Sequence, residues 1–263
     1  VLKTPEPELE AARKARQAEK RRLQTSSRRA HDLLRSSIRM GLMSSNVTLM
    51  EHHLVSGLDT SRNAVREALQ LLADEGLVER SPRTGTRLIG SILEIPIDQF
   101  LPLVHDPATE ASRVSVRVLE QRTVPATPVL ASRLEVELEE PLNMSEQLIL
   151  VDGSPVALRC CYVVDSFVRE RVEGQAPDGY TPTHLSATLA QMFGEVAATG
   201  TVENFFEAMA CEPRTSERLG VKVGHPILSR ELLIRNGEGR PYLFGYARYR
   251  GDRVAIGATV PIQ

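Results

Sequence analysis

The sequence predicts an α+β protein in two parts: a small helical domain ending in a hairpin, then a larger domain of mixed helices and antiparallel strands. Three observations carry that expectation. Apolar residues recur at helical spacing between Arg28 and Glu75, beyond Val114 the pattern turns to strand-type alternation punctuated by Gly- and Pro-containing turns, and the charge divides near Gly90. Of the 263 residues, 41% are hydrophobic and 25% charged, ordinary values for a globular chain, so disorder and a membrane class are not favoured.

In order, the elements read as follows. Residues 1–27 form a basic extension in which Arg13, Lys14, Arg16, Lys20, Arg21 and Arg22 alternate with Ala, Gln and Glu and leave almost no apolar stripe. Leu33, Leu34, Ile38 and Leu42 predict an amphipathic helix over Arg28–Met43. A second, shorter helix is expected over Met50–Ser56, stopped by Gly57. A third follows Asp59-Thr60-Ser61, any of which can cap the orphan amides of a first turn; its inward stripe is Val65, Leu69 and Leu72, and Gly76 ends it. Leu77–Ser81 and Thr86–Ile89 then read as strands joined through Pro82-Arg83-Thr84-Gly85. Residues 28–90 thus make three helices and a hairpin, residues 91–104 a linker with Pro96 and Pro102, and residues 105–263 the second domain. There, strands are expected over Val114–Glu120, Gln147–Val151, Ala157–Val164, Pro226–Arg235 and Tyr242–Tyr249, with helical patterns at Leu185–Phe193 and Ser216–Leu219.

Net charge narrows the partners. The overall −2 conceals +5 over residues 1–90 (16 Lys+Arg against 11 Asp+Glu) and −7 over residues 91–263 (16 against 23). A basic first third suits a polyanion, whose counterions are released on binding; the acidic remainder does not. Cys160, Cys161 and Cys211 fit neither a disulfide framework nor a zinc knuckle and read as buried thiols of a reducing compartment. With no signal segment and no apolar run approaching a span, a cytoplasmic protein without a membrane partner is expected.

The chemistry concentrates on the third helix. Arg62 and Arg66 are four residues apart and share one face, away from the Val65–Leu69–Leu72 stripe, with Asn63 beside them. Arg bonds guanine bidentately or clamps a phosphate, and Asn does the same for adenine, so a first helical turn reading Ser-Arg-Asn-x-x-Arg has the makings of base readout. Thr60, Ser61 and the helix N-terminus add phosphate donors. The hairpin tip, Arg83-Thr84-Gly85-Thr86-Arg87, sets cations and hydroxyls around a glycine that lets backbone approach DNA. Each arginine taken alone is an ordinary solvated side chain; the constellation in register is not.

On Ser61-Arg62, Val65-Arg66-Glu67-Ala68-Leu69, Glu75-Gly76-Leu77-Val78 and Gly85-Thr86, residues 28–90 resemble the winged helix-turn-helix domain of the GntR family of bacterial transcription regulators. The resemblance implies that Arg62 and Arg66 contact a pseudo-palindromic double-stranded operator and that Gly85 sits at a wing tip in the minor groove. Where the family usually places Ser-Glu-Arg at the second helix, this chain has Met50-Glu51-His52, so a phosphate-binding Arg becomes His52, whose charge near neutrality is partial.

The remainder is similar to the UTRA effector domain of the HutC subgroup, whose fold resembles chorismate lyase. Carrying segments are Asp152-Gly153-x-Pro155-Val156-Ala157 with Tyr162, Leu219-Gly220-Val221-x-x-Gly224-x-Pro226-Ile227-Leu228, and Gly239-Arg240-Pro241 leading to Tyr249-Arg250-Gly251-Asp252-Arg253. The resemblance implies a homodimer with a small-molecule pocket. Its lining departs from the family's amino-sugar-phosphate sensors: the Arg/Lys before the Asp-Gly turn is Gln147 or Ile149, the Glu after it is Arg159, and the Glu after Gly-Arg-Pro is Leu243. Tyr249 is kept, and a helix expected to begin Ser-Leu-Tyr reads His184-Leu185-Ser186. Fewer acceptors and an added Arg point to a less polar or carboxylate-bearing effector, with Arg159, Arg117 or Arg248 as its anion partner. On strand alternation either Leu158 or Arg159 faces inward, which leaves Arg159 equally open to a surface ion pair.

Two other readings stand beside the ligand-released repressor. One is a repressor whose second domain only dimerises. The other is an enzyme, prompted by the lyase-like fold and by His105, Asp106, His184 and Glu203; these lack nucleophile–base or metal-ligand spacing, so neither catalysis nor a cofactor is expected.

Overall fold

The computed structural model describes residues 10, 27–43, 48–81, 85–97, 114–166, 189, 193, 197 and 199–261. The chain divides into two units between Leu93 and Glu94, within the stretch expected as a linker.

In the first unit, helix α1 (Ser27–Arg39) buries Ala30, Leu34 and Ile38. It is shorter than its apolar pattern suggested, because Gly41 takes a left-handed φ of 69° and folds the chain back after Arg39. Leu33 and Leu42, expected inside, are exposed, since burial follows the 30–34–38 row. Strand β1 (Thr48–Leu49) comes next, too short to leave a pattern, then α2 (Glu51–Gly57) and α3 (Arg62–Asp74). Helix α3 starts on Ser61, whose Oγ accepts the amide of Ala64 at 3.2 Å, and buries Ala64, Val65, Ala68, Leu69 and Leu72. After α3, Gly76 at φ 67° turns the chain into β2 (Val78–Ser81), which pairs with β3 (Gly85–Leu88). Leu49 opposite Thr86 joins β1 to the hairpin, giving a three-stranded sheet in the order β1-β3-β2. Glu75 ties the end of α3 to α1: its carboxylate takes His31 Nε2 at 2.7 Å and the Arg35 guanidinium.

The second unit is built on one six-stranded sheet. Its strands are β5 (Val114–Pro125), β6 (Pro141–Val151), β7 (Ser154–Val164), β8 (Gly200–Ala210), β9 (Pro226–Asn236) and β10 (Pro241–Arg250). They lie in the order β5-β6-β7-β10-β9-β8, every neighbour antiparallel. A two-stranded sheet pairs β4 (Leu93–Pro96), placed in the expected linker, with β11 (Val254–Gly257). Helices α4 (Pro128–Leu134), opened by Thr127 and Pro128, and α5 (Pro213–Leu219), opened by Glu212 and Pro213, complete the set. Strand β8 and helix α4 had no counterpart in the sequence reading, and the helix expected at Leu185–Phe193 lies outside the described residues apart from Leu189 and Phe193.

Both faces of the large sheet are covered. On one, Leu130 and Leu134 of α4 pack on Leu142, Val164, Leu233 and Phe244, while Leu219 of α5 packs on Leu148, Leu158 and Ile227. On the other, Leu189, Phe193 and Ala197 pack on Leu232, Ile234 and Leu243. With no solvent face on the central strands, alternation cannot sort inside from outside: Leu158 and Arg159 are both buried, 5% and 4% exposed. The surface ion pair allowed for Arg159 is thereby ruled out.

Leu72 of α3 is fully buried. Leu72→Ala is expected to lower the unfolding free energy by about 2–5 kcal/mol in urea titration, the cost of a buried leucine and its cavity.

Candidate functional site

The capping of α3 by Ser61 sets the geometry of the first candidate surface. Arg62, Asn63 and Arg66 stand exposed on the first turns, on the far side of the helix from its buried stripe. Arg66 Nε lies 3.8 Å from Glu51 of α2, and Arg80 of β2 lies 3.6 Å from the same carboxylate. Arg80 also donates to Gln70 Oε1 at 3.1 Å and to the Arg66 carbonyl at 3.4 Å. Gln70 and Arg80 therefore share the exposed α3 surface, although no local pattern marks them, because the contacts join residues ten and fourteen apart. His52 is exposed on α2 with its ring 4.1 Å from that of His53.

Other members of the expected set are placed differently. Thr60 is buried at 9% exposure. Thr86, expected as a wing hydroxyl, is also turned inward, at 6%: β3 alternates so that Thr86 and Leu88 enter the core, and Arg87 takes the outward position. Gly85 is exposed with φ 79°, and a Cβ there would meet Thr48 Cγ2 at 2.7 Å, so both backbone angle and strand approach demand glycine. Arg83 and Thr84 lie outside the described residues.

In the second unit, register decides which candidates meet. Gln147 of β6 opposes Arg159 of β7, Arg159 opposes Ala247 of β10, and Ala247 opposes Arg230 of β9, so all four project from one face. Tyr249, two residues beyond Ala247, shares it. Arg159 donates to Gln147 Oε1 through Nε at 3.1 Å and also through Nη2. Arg230, wholly buried, donates to Asn204 Oδ1 and to the Ile97 carbonyl, each at 2.8 Å. Burial pushes the Tyr249 hydroxyl up from its ordinary pKa, although Arg230 and Arg159 pull the other way, so it stays protonated and able to donate. The Ser145 hydroxyl, on the same face, is buried with no hydrogen-bond partner among the described residues. Between the two guanidiniums β10 carries small residues, Gly245 and Ala247. The sequence reading missed Arg230; the signal was an arginine interrupting the apolar series Leu228, Leu232, Ile234 on alternate positions.

Arg117 and Arg248 are not brought to that face. Arg117 opposes Leu148, Leu148 opposes Leu158 and Leu158 opposes Arg248, a row on the opposite side of the sheet, toward α5. There Arg248 reaches Thr215 Oγ1 at 3.3 Å, lies 3.6 Å from Glu212 and sits 5.5 Å over the Tyr246 ring. His184 and Ser186 fall outside the described residues.

Comparison with known proteins agrees with this two-part layout. The family model described as "Bacterial regulatory proteins, gntR family" matches residues 26–88, and the UTRA domain model matches residues 110–255, more than half of the chain. The chain belongs to the GntR family and carries a UTRA domain. This GntR regulator is 22% identical over 211 residues to the HTH-type transcriptional regulator GmuR of Bacillus subtilis (strain 168), covering 78% of the chain and 85% of the relative. It is 23% identical over 207 residues to the uncharacterised HTH-type transcriptional regulator RB1450 of Rhizobium meliloti (strain 1021), covering 78% and 82%. Among solved structures, PhnF from Mycobacterium smegmatis superposes with a TM-score of 0.57 at 20% identity, covering 89% of this chain and all of that one, a likeness of fold. These findings make the GntR chain a transcriptional regulator, and the family match points to that role rather than to an enzyme. Among the described residues no group of His, Cys, Asp or Glu is arranged to hold a metal ion, and no helix is long and apolar enough to cross a membrane.

The regulator's three cysteines are buried and unpaired with one another. Burial raises all three thiols, Cys161 to about 11, so at pH 8 each is protonated. A thiol reagent such as DTNB is expected to leave the native protein almost unlabelled at pH 8 and to titrate three thiols once guanidinium unfolds it; rapid labelling of the native form would contradict the placement.

Proposed function

We propose that this regulator is a homodimeric repressor that binds a pseudo-palindromic operator through α3 and the wing, and releases it when a small anionic effector occupies the second domain. The observation that carries the DNA half is the exposed Arg62–Asn63–Arg66 turn, held by the Ser61 cap over a buried stripe. Arg62, Asn63 and Arg66 are assigned to base edges; Arg80, Arg83, Arg87, Thr84, His52 and the Ser61 hydroxyl to phosphates; and Gly85 to the close approach of the wing. Such a protein acts in the compartment that holds the chromosome, the cytoplasm.

The effector half rests on the buried face of the large sheet. Two guanidiniums, Arg159 and Arg230, and the protonated Tyr249 hydroxyl flank small residues at its centre, a donor set suited to a carboxylate on a ligand of modest polarity. Arg117 and Arg248, on the other side of the sheet, are left out of this assignment. One observation favours a second reading, a dimerising domain that binds no effector: Gln147 already takes two hydrogen bonds from Arg159.

A salt-titrated gel shift on the regulator's own promoter region, repeated with small carboxylic acids and metabolite fractions, separates the readings. Release by one compound supports a ligand-controlled repressor, specific binding that nothing releases supports the ligand-blind dimer, and absence of specific binding overturns both. Arg66→Ala is expected to weaken specific binding by about 1–3 kcal/mol, roughly 5- to 150-fold, and to relax preference at one base position. Arg159→Met is expected to leave operator affinity unchanged while abolishing release; a variant still released at the wild-type effector concentration would remove Arg159 from the site.

A further inference from the structure

The face of the large sheet that turns toward α5, away from the proposed effector face, carries a cleft that the proposed function leaves unused. Its volume is about 310 Å³, and it is lined by Glu146 of β6, Leu158 and Cys160 of β7, Tyr246 and Arg248 of β10, and Arg214 of α5. Register brings these together: Glu146 opposes Cys160, Cys160 opposes Tyr246, and Leu158 opposes Arg248. Part of that volume is open to solvent, so the enclosed space suits a molecule of a few heavy atoms, at the lower end of the range of small-molecule sites.

Charges of opposite sign border the cleft from two sides. Glu146 and Arg248 stand two strands and two residues apart, about 12 Å between Cα atoms, with Leu158 and Cys160 on the strand between them. A single nitrogen, Arg214 Nη2, reaches both Glu146 oxygens, at 3.1 and 3.0 Å, and the Arg214 side chain is itself exposed. Lone pairs of a carboxylate only 13% exposed are therefore left for a second donor. Glu120, directly opposite Glu146 on β5, adds to the negative potential there, partly offset by Arg122 at 2.8 Å. On the other side Arg248 donates from Nη1 to Thr215 Oγ1 at 3.3 Å, its one hydrogen bond among the described residues, and lies 5.5 Å over the Tyr246 ring. Glu212, 3.6 Å from Arg248, is committed to the start of α5, where it accepts from the amides of Arg214 and Thr215.

We infer that this cleft is a second small-molecule site, one that takes a free α-amino acid with a short apolar side chain: the ammonium on Glu146, the carboxylate on Arg248, and the side chain against Leu158 and Cys160. A ligand with a carboxylate alone sets that charge near Glu146 with nothing to offset it, and an amine alone does the same toward Arg248. A ligand bearing both charges makes a charge-assisted hydrogen bond on each side. The site lies back to back with the proposed effector face, since Gln147, Arg159 and Ala247 are the chain neighbours of Glu146, Cys160 and Arg248. It shares no lining residue with that face and does not depend on the effector reading.

The test is isothermal titration calorimetry of the full chain with L-alanine, with propionate, which lacks the ammonium, and with L-alaninamide, which lacks the carboxylate. L-Alanine is expected to bind one site per chain in the millimolar range, and each of the other two roughly tenfold more weakly or worse. Propionate or L-alaninamide binding as tightly as L-alanine overturns the amino-acid assignment, as does the absence of saturable binding at tens of millimolar L-alanine. Glu146→Gln and Arg248→Gln are each expected to weaken L-alanine binding by roughly tenfold or more, with the circular dichroism spectrum unchanged. If either variant unfolds, the ligand series and the other variant decide. L-Alanine binding that survives both substitutions overturns the cleft. Binding that survives both and is lost in Arg159→Met also overturns it, placing the ligand on the opposite face and leaving the effector reading standing.

Discussion

Burial of strands on both sides is the constraint from which most of the second unit follows. The central strands β7 and β10 have helices α4 and α5 over one face and residues 189, 193 and 197 against the other, so neither face can be given over to water. Polar side chains on those strands must be satisfied within the protein or by something bound in it, since a buried unpaired donor costs about 1–3 kcal/mol and a buried charge more. Gln147 and Asn204 answer part of that demand for Arg159 and Arg230. The antiparallel register that places these residues in one row is therefore also what separates them from Arg117 and Arg248 on the opposite side.

The first unit obeys a simpler rule. A single stripe on each long helix is buried, the other side is left to solvent, and the ends are tied by caps and ion pairs. Ser61 opens α3 and Glu75 closes it, through bonds to His31 and Arg35 of α1. α3 is thus held by its buried stripe, Leu69 included, and by its tie to α1 at the C-terminal end. The exposed Arg62–Arg66 face inherits that rigidity, which is what a surface meant to match a groove requires.

How far the sequence could be read tracks this difference. Helix α3 was legible because its cap, its stripe and its terminating glycine are all local and agree. The end of α1 was not, since Leu42 continues the apolar spacing while Gly41 stops the helix, and the backbone signal prevailed. Thr86 looked like a wing hydroxyl because it adjoins Gly85; its inward turn depends on β3 lying between β1 and β2, and β1 is two residues long. The family resemblance located Gln147, Arg159 and Tyr249, which share a face, yet offered Arg117 and Arg248 with equal weight, because only cross-strand register distinguishes one side of a sheet from the other. β8 escaped notice for a related reason: Phe205 and Phe206 are adjacent, one on each side, so no alternation appears.

The pairing of Gln147 with Arg159 bears on how such a domain can change over evolutionary time. Because the amide accepts two hydrogen bonds from a guanidinium that is almost wholly buried, losing Gln147 first takes an acceptor from a buried charge, whereas losing Arg159 first takes a donor from a neutral amide, the cheaper intermediate. Substitutions at the two positions are therefore epistatic, and the order in which they are fixed is not free. A lineage in which this row drifts toward a different chemistry must pass through variants that have lost the arginine and kept the glutamine, and a family tree of close relatives would carry that asymmetry as its record.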